Sequence, residues 1–151
     1  MVDSAEEFTK KHLQDMLAFF SINVDVESRV EDEMVKLSIP STEHSGFLIG
    51  EKGQTLRAWQ HMLRLALHNQ DFEIDRVGLD IAEYKKQRAD RLSEQAHDWA
   101  LAVKASGEEM ALDPMNPVDR RTVHQTVNDV SGVATESRGR GHDRHIVIKP
   151  E

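Results

Sequence analysis

Two short motifs hold the residues that could do chemistry in this chain, and the first is Gly50-Glu51-Lys52-Gly53. Glycine at both ends of a four-residue turn lets the backbone bend tightly and leaves its N–H groups uncovered by a Cβ atom. A helix that begins at Gln54 would add its first-turn N–H groups and the positive end of its dipole, and together these can bind a phosphate. Taken alone, the motif is more typical of a plain corner between two helices.

The second motif is Arg120-Arg121-Thr122-Val123-His124. Arg120 and His124 are four residues apart, so on a helix they project about 40° from each other on one face. A single pair of this kind is most often a surface arginine and a half-buried histidine with local hydrogen bonds. The function of both motifs therefore depends on the elements that position them.

The spacing of apolar residues predicts the elements around the glycine turn. Apolar residues at helical spacing, among them Phe20 at the end of the first stripe, predict helices over residues 5–20 and 54–69, and helix-start residues over 41–44 predict a short helix over 43–49. Strict alternation predicts strands over residues 22–27, 35–39 and 77–81. The first two strands are expected to form a hairpin around Glu31-Asp32-Glu33. The glycine turn then lies between the short helix and a long one.

The second half of the chain is predicted to form a smaller α/β unit. Helical spacing, capping residues and alternation indicate a charged helix over residues 83–104, a short strand near 110–112, a helix over 117–128, and strands over 134–137 and 144–149. Asn116 followed by Pro117 is a strong start signal for the helix that carries the second motif. The fold class is α/β (α+β), with domains at residues 1–83 and 84–151, the charged helix belonging to the second.

The composition limits the classes of function. The chain has 151 residues, a net charge of −8 and no cysteine, which excludes disulfides and thiolate chemistry. No apolar run approaches the roughly 20 residues of a membrane span, and the acidic N-terminus does not resemble a signal peptide, so we expect a cytoplasmic protein without membrane contact. The charge is uneven, because residues 117–151 carry six Lys and Arg against five Asp and Glu. Local basic clusters count for more than net charge in a short contact with nucleic acid.

The surroundings of the glycine turn resemble a K-homology (KH) domain in its bacterial, type II arrangement. In that family the Gly-x-x-Gly loop clamps the backbone of about four nucleotides of a single strand. The resemblance implies that Gly50, Glu51, Lys52 and Gly53 form this loop and that Lys52 pairs with a phosphate. Glu51 departs from the basic residues common at the loop and should weaken binding.

The second motif, placed after Pro117 and before a strand, resembles the R-3-H domain, which binds single-stranded nucleic acid. The resemblance implies that Arg120 and His124 contact the strand, with Arg121 as a neighbouring phosphate contact. Arg138 and Arg140, in a glycine-rich turn, are expected either to add a flexible cationic contact or to form a plain solvated hairpin, and the two readings are about evenly matched. A KH unit followed by an R-3-H unit resembles the Jag (KhpB) family of bacterial RNA-binding proteins. Its members often carry a further N-terminal Jag domain, which is not expected here.

The leading hypothesis is a regulatory, non-catalytic protein that binds single-stranded RNA through both motifs, with the first as a weak clamp that needs the second. The alternative is a protein–protein interaction or dimerisation module with weak or no RNA binding. Single-stranded DNA remains open as a ligand, and the resemblance implies a small KH-protein partner or a homodimer. No nucleophile–base pair, nucleotide-binding loop or metal-ligand spacing is present, so no catalytic, metal or cofactor site is predicted.

Overall fold

Two compact units make up the chain, divided between Lys85 and Lys86. The structure, a computed structural model, describes residues 4–151. Both units combine helices with a small three-stranded sheet, which confirms the predicted α/β fold class. Within the described residues, no helix is both long enough and apolar enough to cross a lipid bilayer.

The first unit follows the order helix, strand, strand, helix, helix, strand. Its elements are α1 (Ala5–Phe19), β1 (Glu27–Glu31), β2 (Met34–Ile39), α2 (Ser45–Ile49), a 3-10 turn (Glu51–Gly53), α3 (Gln54–His68) and β3 (Arg76–Ile81). The sheet order is β1-β2-β3, in which β1 runs antiparallel and β3 parallel to the central strand. The glycine turn therefore lies where it was predicted, between a short helix and a long one.

The first strand was predicted about five residues too early. Asp32 and Glu33 have φ values of 53° and 56°, so they form a two-residue hairpin turn that pairs Glu31 with Met34. The antiparallel ladder reaches back only to Glu27, which pairs with Ser38 near the end of β2, and it leaves residues 22–26 outside the sheet. The alternation there still has a physical cause, since Ile22 and Val26 are buried in the core. Alternation predicted the burial correctly and the strand wrongly.

One core holds the first unit together. Alternate residues of β2 and β3 are buried, and so is one stripe of α1 and of α3; they include Leu13, Leu17, Val35, Leu37, Leu63, Leu67, Leu79 and Ile81. Phe20 was predicted to belong to the buried stripe of α1 but is 50% exposed. The helix ends at Phe19, and Ser21 turns the chain with a φ of 58°, so the stripe stops one turn earlier than the spacing suggests.

The second unit is smaller and has its own core. Its elements are α4 (Tyr84–Ser106), which begins just before the division, β4 (Met110–Ala111), α5 (Pro117–Asn128), β5 (Val133–Arg138), a 3-10 turn (Gly141–Asp143) and β6 (His145–Pro150). The antiparallel sheet has the order β4-β6-β5. Buried residues on one face of α4 and of α5 pack against β5 and β6; they include Leu92, Ala96, Ala100, Val103, Val123, Val127, Val133, Ile146 and Ile148.

The start of α5 was predicted correctly, and its geometry explains why. Asn116 has an extended backbone, and its Oδ1 accepts a hydrogen bond from the N–H of Asp119 at 3.0 Å. Pro117 occupies the first helical position, where a missing N–H costs nothing. These signals are local in sequence, so they fix the start of the helix without help from distant residues.

Candidate nucleic-acid interface

The glycine turn has a backbone that only a few residue types can adopt. Gly50, Lys52 and Gly53 have φ values of 71°, 50° and 74°, in the left-handed region. A Cβ atom on Gly53 would lie 2.7 Å from Cε1 of Tyr84, and one on Gly50 would collide with the side chain of Thr55. Both positions are therefore restricted to glycine by backbone conformation and by close neighbours.

The loop exposes charged side chains and the start of a helix. Glu51 and Lys52 are exposed, and Gly53 is the N-cap of α3 without a side-chain hydrogen bond to the helix N–H groups. The Nη1 atom of Arg57, in the first turns of α3, donates to the carbonyl oxygen of Lys52 at 2.9 Å. Arg57 thus adds a second positive charge beside the loop, against the single negative charge of Glu51.

Arg57 was not among the predicted site residues. The signal that could have found it is a basic residue about one turn into the helix that follows a Gly-x-x-Gly turn. A side chain there can reach back over the turn, because helical side chains lean toward the N-terminus.

The second motif lies on α5, as predicted, but its members have different surroundings. Arg120 is half-buried, and its Nη1 atom donates to the carbonyl oxygen of Met115 at 2.6 Å. His124 is exposed; its Nδ1 is hydrogen-bonded to Oγ1 of Thr135 on β5, and its Nε2 lies 3.3 Å from Nδ2 of Asn128. If the amide of Asn128 donates to Nε2, then Nδ1 carries the proton that Thr135 accepts. Both side chains are positioned by hydrogen bonds within the second unit.

Arg121 lies between these two residues on α5 and is exposed. Asp119, two residues before Arg121, is buried and accepts hydrogen bonds from Nη2 of Arg88 at 3.0 Å and from Nδ2 of Asn116 at 3.3 Å. This network ties the start of α5 to α4. Sequence reasoning missed the pairing of Arg88 with Asp119, because the two residues are 31 positions apart.

Arg138 and Arg140 differ in how readily their guanidinium groups could contact a phosphate. The guanidinium of Arg138 lies 3.1 Å from Glu109 and 3.1 Å from Glu136. Hydrogen bonds from Arg138 hold the pKa of both carboxyl groups below their ordinary value, with Lys149 contributing to the second. Arg140 is exposed in the turn before Gly141. Arg138 would have to leave two carboxylates to contact a phosphate, whereas Arg140 would not.

Two histidines, His142 and His145, follow Arg140 in the chain. His145 Nδ1 lies 2.9 Å from the carbonyl oxygen of Asp143, and His142 is exposed. No group of three or more His, Asp or Glu side chains in residues 4–151 is placed to hold a metal ion.

The second unit has a counterpart among known domain families. The sequence pattern of the R-3-H domain matches residues 90–150, which include all of α5 and both long strands of the second sheet. The arginine and histidine that give this domain its name correspond in spacing to Arg120 and His124. The class of protein is therefore one that carries an R-3-H domain.

Relatives extend the similarity over almost the whole chain. It is 31% identical over 146 residues to a protein of Clostridium symbiosum and 30% identical over 141 residues to one of Bacillus subtilis (strain 168). Both relatives are named RNA-binding protein KhpB, as is one from Streptococcus pneumoniae that is 27% identical over 132 residues. The first two alignments cover 97% and 92% of this chain. The chain belongs to the KhpB family.

The relatives are longer than this chain. It spans 64% of the length of the Clostridium symbiosum protein, 67% of the Bacillus subtilis protein and 40% of the Streptococcus pneumoniae protein. The similarity therefore concerns the two units described above and not the remainder of those proteins.

Proposed function

We propose that this protein binds single-stranded RNA, without catalysis, and acts as a cytoplasmic regulator of the RNAs that it binds. The observation that carries the proposal is the exposed face of α5, where Arg121 and His124 lie within the residues that match an R-3-H domain. The relatives named RNA-binding proteins support RNA as the ligand.

We further propose that the first unit is a type II KH domain. Its order of elements and the placement of the Gly-x-x-Gly turn between α2 and α3 support this assignment. The loop offers three groups that can bind a phosphate. They are the N–H groups at the start of α3, the ammonium of Lys52 and the guanidinium of Arg57. A KH loop clamps backbone rather than bases, so this contact should depend little on sequence.

The residues of α5 take different roles in the proposal. Arg121 is the phosphate contact because its guanidinium is exposed. Arg120 positions the segment before α5 through Met115, and His124 offers its ring to a base or to the sugar–phosphate backbone. Arg140 is a secondary contact, and Arg138 contributes only when it leaves Glu109 and Glu136.

The test is a binding titration with labelled single-stranded RNA, single-stranded DNA of the same sequence and duplex RNA. The variants are Lys52→Asn, which keeps a residue tolerant of the left-handed region, and Arg121→Ala. Each should weaken binding to single strands by about 3- to 10-fold, the effect of losing one hydrogen bond of typical net strength. Arg91→Ala, which removes an exposed charge of α4, is the matched control and should leave affinity unchanged.

Salt dependence separates phosphate contact from other binding. Each phosphate contact that is lost should reduce the slope of log affinity against log salt by about 0.7 for a single strand. Wild-type protein that binds no single strand at any salt concentration contradicts the proposal. Equal affinity for RNA and DNA would agree with the proposed phosphate contacts and would contradict the proposed preference for RNA.

The proposal also includes a protein partner for the first unit. A homodimer or a complex with a small KH protein would leave the RNA contacts in place and add a protein contact in the first unit. Sedimentation of the protein alone measures the homodimer, because a dimer doubles the mass before any RNA is added, and sedimentation of a mixture with a small KH protein measures the complex.

A further inference from the structure

The helix α3 has no acidic residue, although the chain as a whole is acidic. No Asp or Glu occurs between Glu51 and Asp71, whereas the whole chain carries 27 of them against 19 Lys and Arg. The other helices of more than ten residues in the described part of the chain, α1, α4 and α5, each contain at least one acid. Basic residues on α3 therefore meet no opposing charge from their own helix.

The basic residues of α3 lie along one side of the helix. Arg57, His61, Arg64 and His68 follow one another at intervals of four, three and four residues, so they lie within about 60° of one another around the helix axis. All four are exposed, and the buried stripe of α3 faces the core on another side. We call these four residues the basic flank of α3.

The guanidinium groups of the basic flank are not neutralised by carboxylates. Neither Arg57 nor Arg64 forms an ion pair with an acid of residues 4–151, in contrast to Arg138, which contacts two. The Nη2 atom of Arg64 lies 3.3 Å from Nδ1 of His61. Because a guanidinium can only donate, Nδ1 accepts this hydrogen bond, and the ring carries its proton on Nε2. His61 thus has a second donor available to a ligand.

The basic flank begins at the Gly-x-x-Gly loop. Arg57 is tied to the loop because its Nη1 atom donates to the carbonyl oxygen of Lys52 at 2.9 Å. The helix α3 starts at Gln54, directly after Gly53, so the flank runs away from the loop along the helix. A strand that leaves the loop in this direction passes one positive or donor group after another.

We propose that the basic flank binds phosphates of nucleotides beyond the roughly four that the Gly-x-x-Gly loop clamps, so that the first unit holds a longer stretch of single-stranded RNA. This inference rests on the proposed function and adds a second backbone contact to the first unit. Arg57 and Arg64 pair with phosphate oxygens through their planar guanidinium groups, and His61 donates from Nε2. Such contacts position a strand and do not read its sequence.

The chemistry of the basic flank favours a nucleic-acid strand over a protein partner. The flank holds no apolar side chain, whereas a stable protein interface has an apolar centre. Its basic groups recur along about 16 Å of helix, which suits a polymer with a negative charge on every unit. Continuity with the loop makes that polymer the strand which the loop already holds.

The first test uses two single strands of about twelve nucleotides, roughly three times the length that the loop clamps. One strand has phosphates throughout, and the other keeps them only in its centre, with uncharged methylphosphonate linkages on both sides. Arg64→Gln should weaken binding of the fully charged strand by about 3- to 10-fold, the effect of losing one hydrogen bond of typical net strength. It should leave binding of the partly neutral strand unchanged, whereas Lys52→Asn should weaken both.

Arg29→Gln makes the same change in net charge and is the matched control. Arg29 lies on β1, at the edge of the sheet opposite β3, and its guanidinium is 3.2 Å from Glu31. This variant should leave both affinities unchanged. Arg64→Gln should also reduce the slope of log affinity against log salt by about 0.7 on the fully charged strand, whereas Arg64→Lys keeps the charge and should keep the slope.

The second unit also contacts RNA in the proposed function, so its contribution has to be separated. The loss caused by Arg64→Gln should persist when Arg121→Ala is already present, because the two residues belong to different units. Circular dichroism of each variant shows whether its helices are intact. A loss that disappears in the Arg121→Ala background would assign the effect to the second unit and would overturn the inference.

The remaining outcomes distinguish this inference from the function on which it rests. Wild-type protein that binds neither strand overturns both. A strand that Lys52→Asn weakens, and that Arg64→Gln affects no more than Arg29→Gln does, overturns the inference and leaves the loop contact in place. Equal losses from Arg64→Gln on the two strands also overturn it, because the outer phosphates are then not the ligand. So does a lower sedimenting mass of the Arg64→Gln variant, which would identify the flank as a protein contact.

Discussion

Gly46 and Gly53 lie seven residues apart and differ in what their positions demand. Gly46 is inside α2, and a Cβ atom there would meet nothing within 4 Å. Gly53 has a φ of 74° and the ring of Tyr84 against it. The same substitution should therefore have opposite effects at the two sites.

We predict that Gly53→Ala lowers the free energy of unfolding by about 2 kcal/mol, from the left-handed backbone and the contact with Tyr84. Gly46→Ala should raise it by about 0.5–1 kcal/mol, because alanine is the better helix former. Urea denaturation of both variants measures the difference. Equal effects of the two substitutions would mean that the glycine turn is not under the constraint described.

At the same scale, sequence reasoning found the residues whose roles depend on close neighbours in the chain. Gly50 and Gly53 were identified because a four-residue turn between helices is a local pattern. Arg138 was predicted to be either a flexible cationic contact or part of a plain solvated hairpin, and neither prediction included Glu109, its partner 29 positions away. Such a pairing cannot be read from spacing, because it depends on β6, which pairs with both β4 and β5 and so brings the two edge strands of the second sheet within reach of each other.

Among the elements, α5 depends on its first turn. Asn116 caps the helix and also donates to the buried carboxylate of Asp119. We predict that Asn116→Ala costs about 1–2 kcal/mol of unfolding free energy, as the loss of a cap usually does. Gln125→Ala, in the exposed middle of the same helix, should cost nothing, because alanine is favoured there. Chemical denaturation followed by circular dichroism tests the pair.

The strand β5 carries a pH-dependent contact. The folded protein holds the pKa values of Glu109 and Glu136 below their ordinary value of 4.5, chiefly through Arg138. A carboxyl group with a lowered folded-state pKa stabilises the fold above its unfolded pKa, and this stabilisation is lost as pH falls through the folded pKa. The contribution is therefore complete at neutral pH and absent in strong acid.

We predict that Arg138→Gln lowers the unfolding free energy at neutral pH and that the deficit shrinks as pH falls below about 4.5. Denaturation of wild type and variant at a series of pH values gives the difference directly. Arg91→Gln on α4 serves as the charge-matched control. A deficit that stays constant from neutral pH to strong acid would exclude the ionic contribution.

The periodicity of apolar residues predicted burial better than it predicted the pairing of strands. The helix α5 was placed to the residue because its cap and proline are in the sequence, whereas β1 was displaced because its position depends on which residues of β2 remain to pair with it. Ile22 and Val26 alternate as strand residues do and are buried outside the sheet. Burial follows from the pattern, but hydrogen-bond pairing follows from the turn.

Over the whole molecule, the net charge of −8 opposes association with a polyanion. The screening length is about 10 Å at 0.1 M salt, so a charge in the loop acts on a bound phosphate far more strongly than a distant one. The local balance of Lys52, Arg57 and Glu51 should decide affinity in the first unit, and the net charge should affect mainly the rate of encounter.

We predict that Glu51→Gln strengthens binding to single-stranded RNA by about 2- to 5-fold at low salt, with a smaller effect at high salt. Glu73→Gln makes the same change in net charge at an exposed position before β3 and should have a much smaller effect. Titrations at several salt concentrations compare them. An equal gain in both variants would show that net charge, and not the loop, limits affinity.

The left-handed backbone of the glycine turn has a consequence for kinetics. The φ values of Gly50, Lys52 and Gly53 belong to a turn that lies against Thr55 and Tyr84 and whose Lys52 carbonyl accepts a hydrogen bond from Arg57. A loop that is shaped in advance loses little conformational entropy on binding and needs no slow rearrangement before a strand can dock. Substitutions of its side chains should therefore change how long a strand stays bound and leave the rate at which it arrives nearly the same.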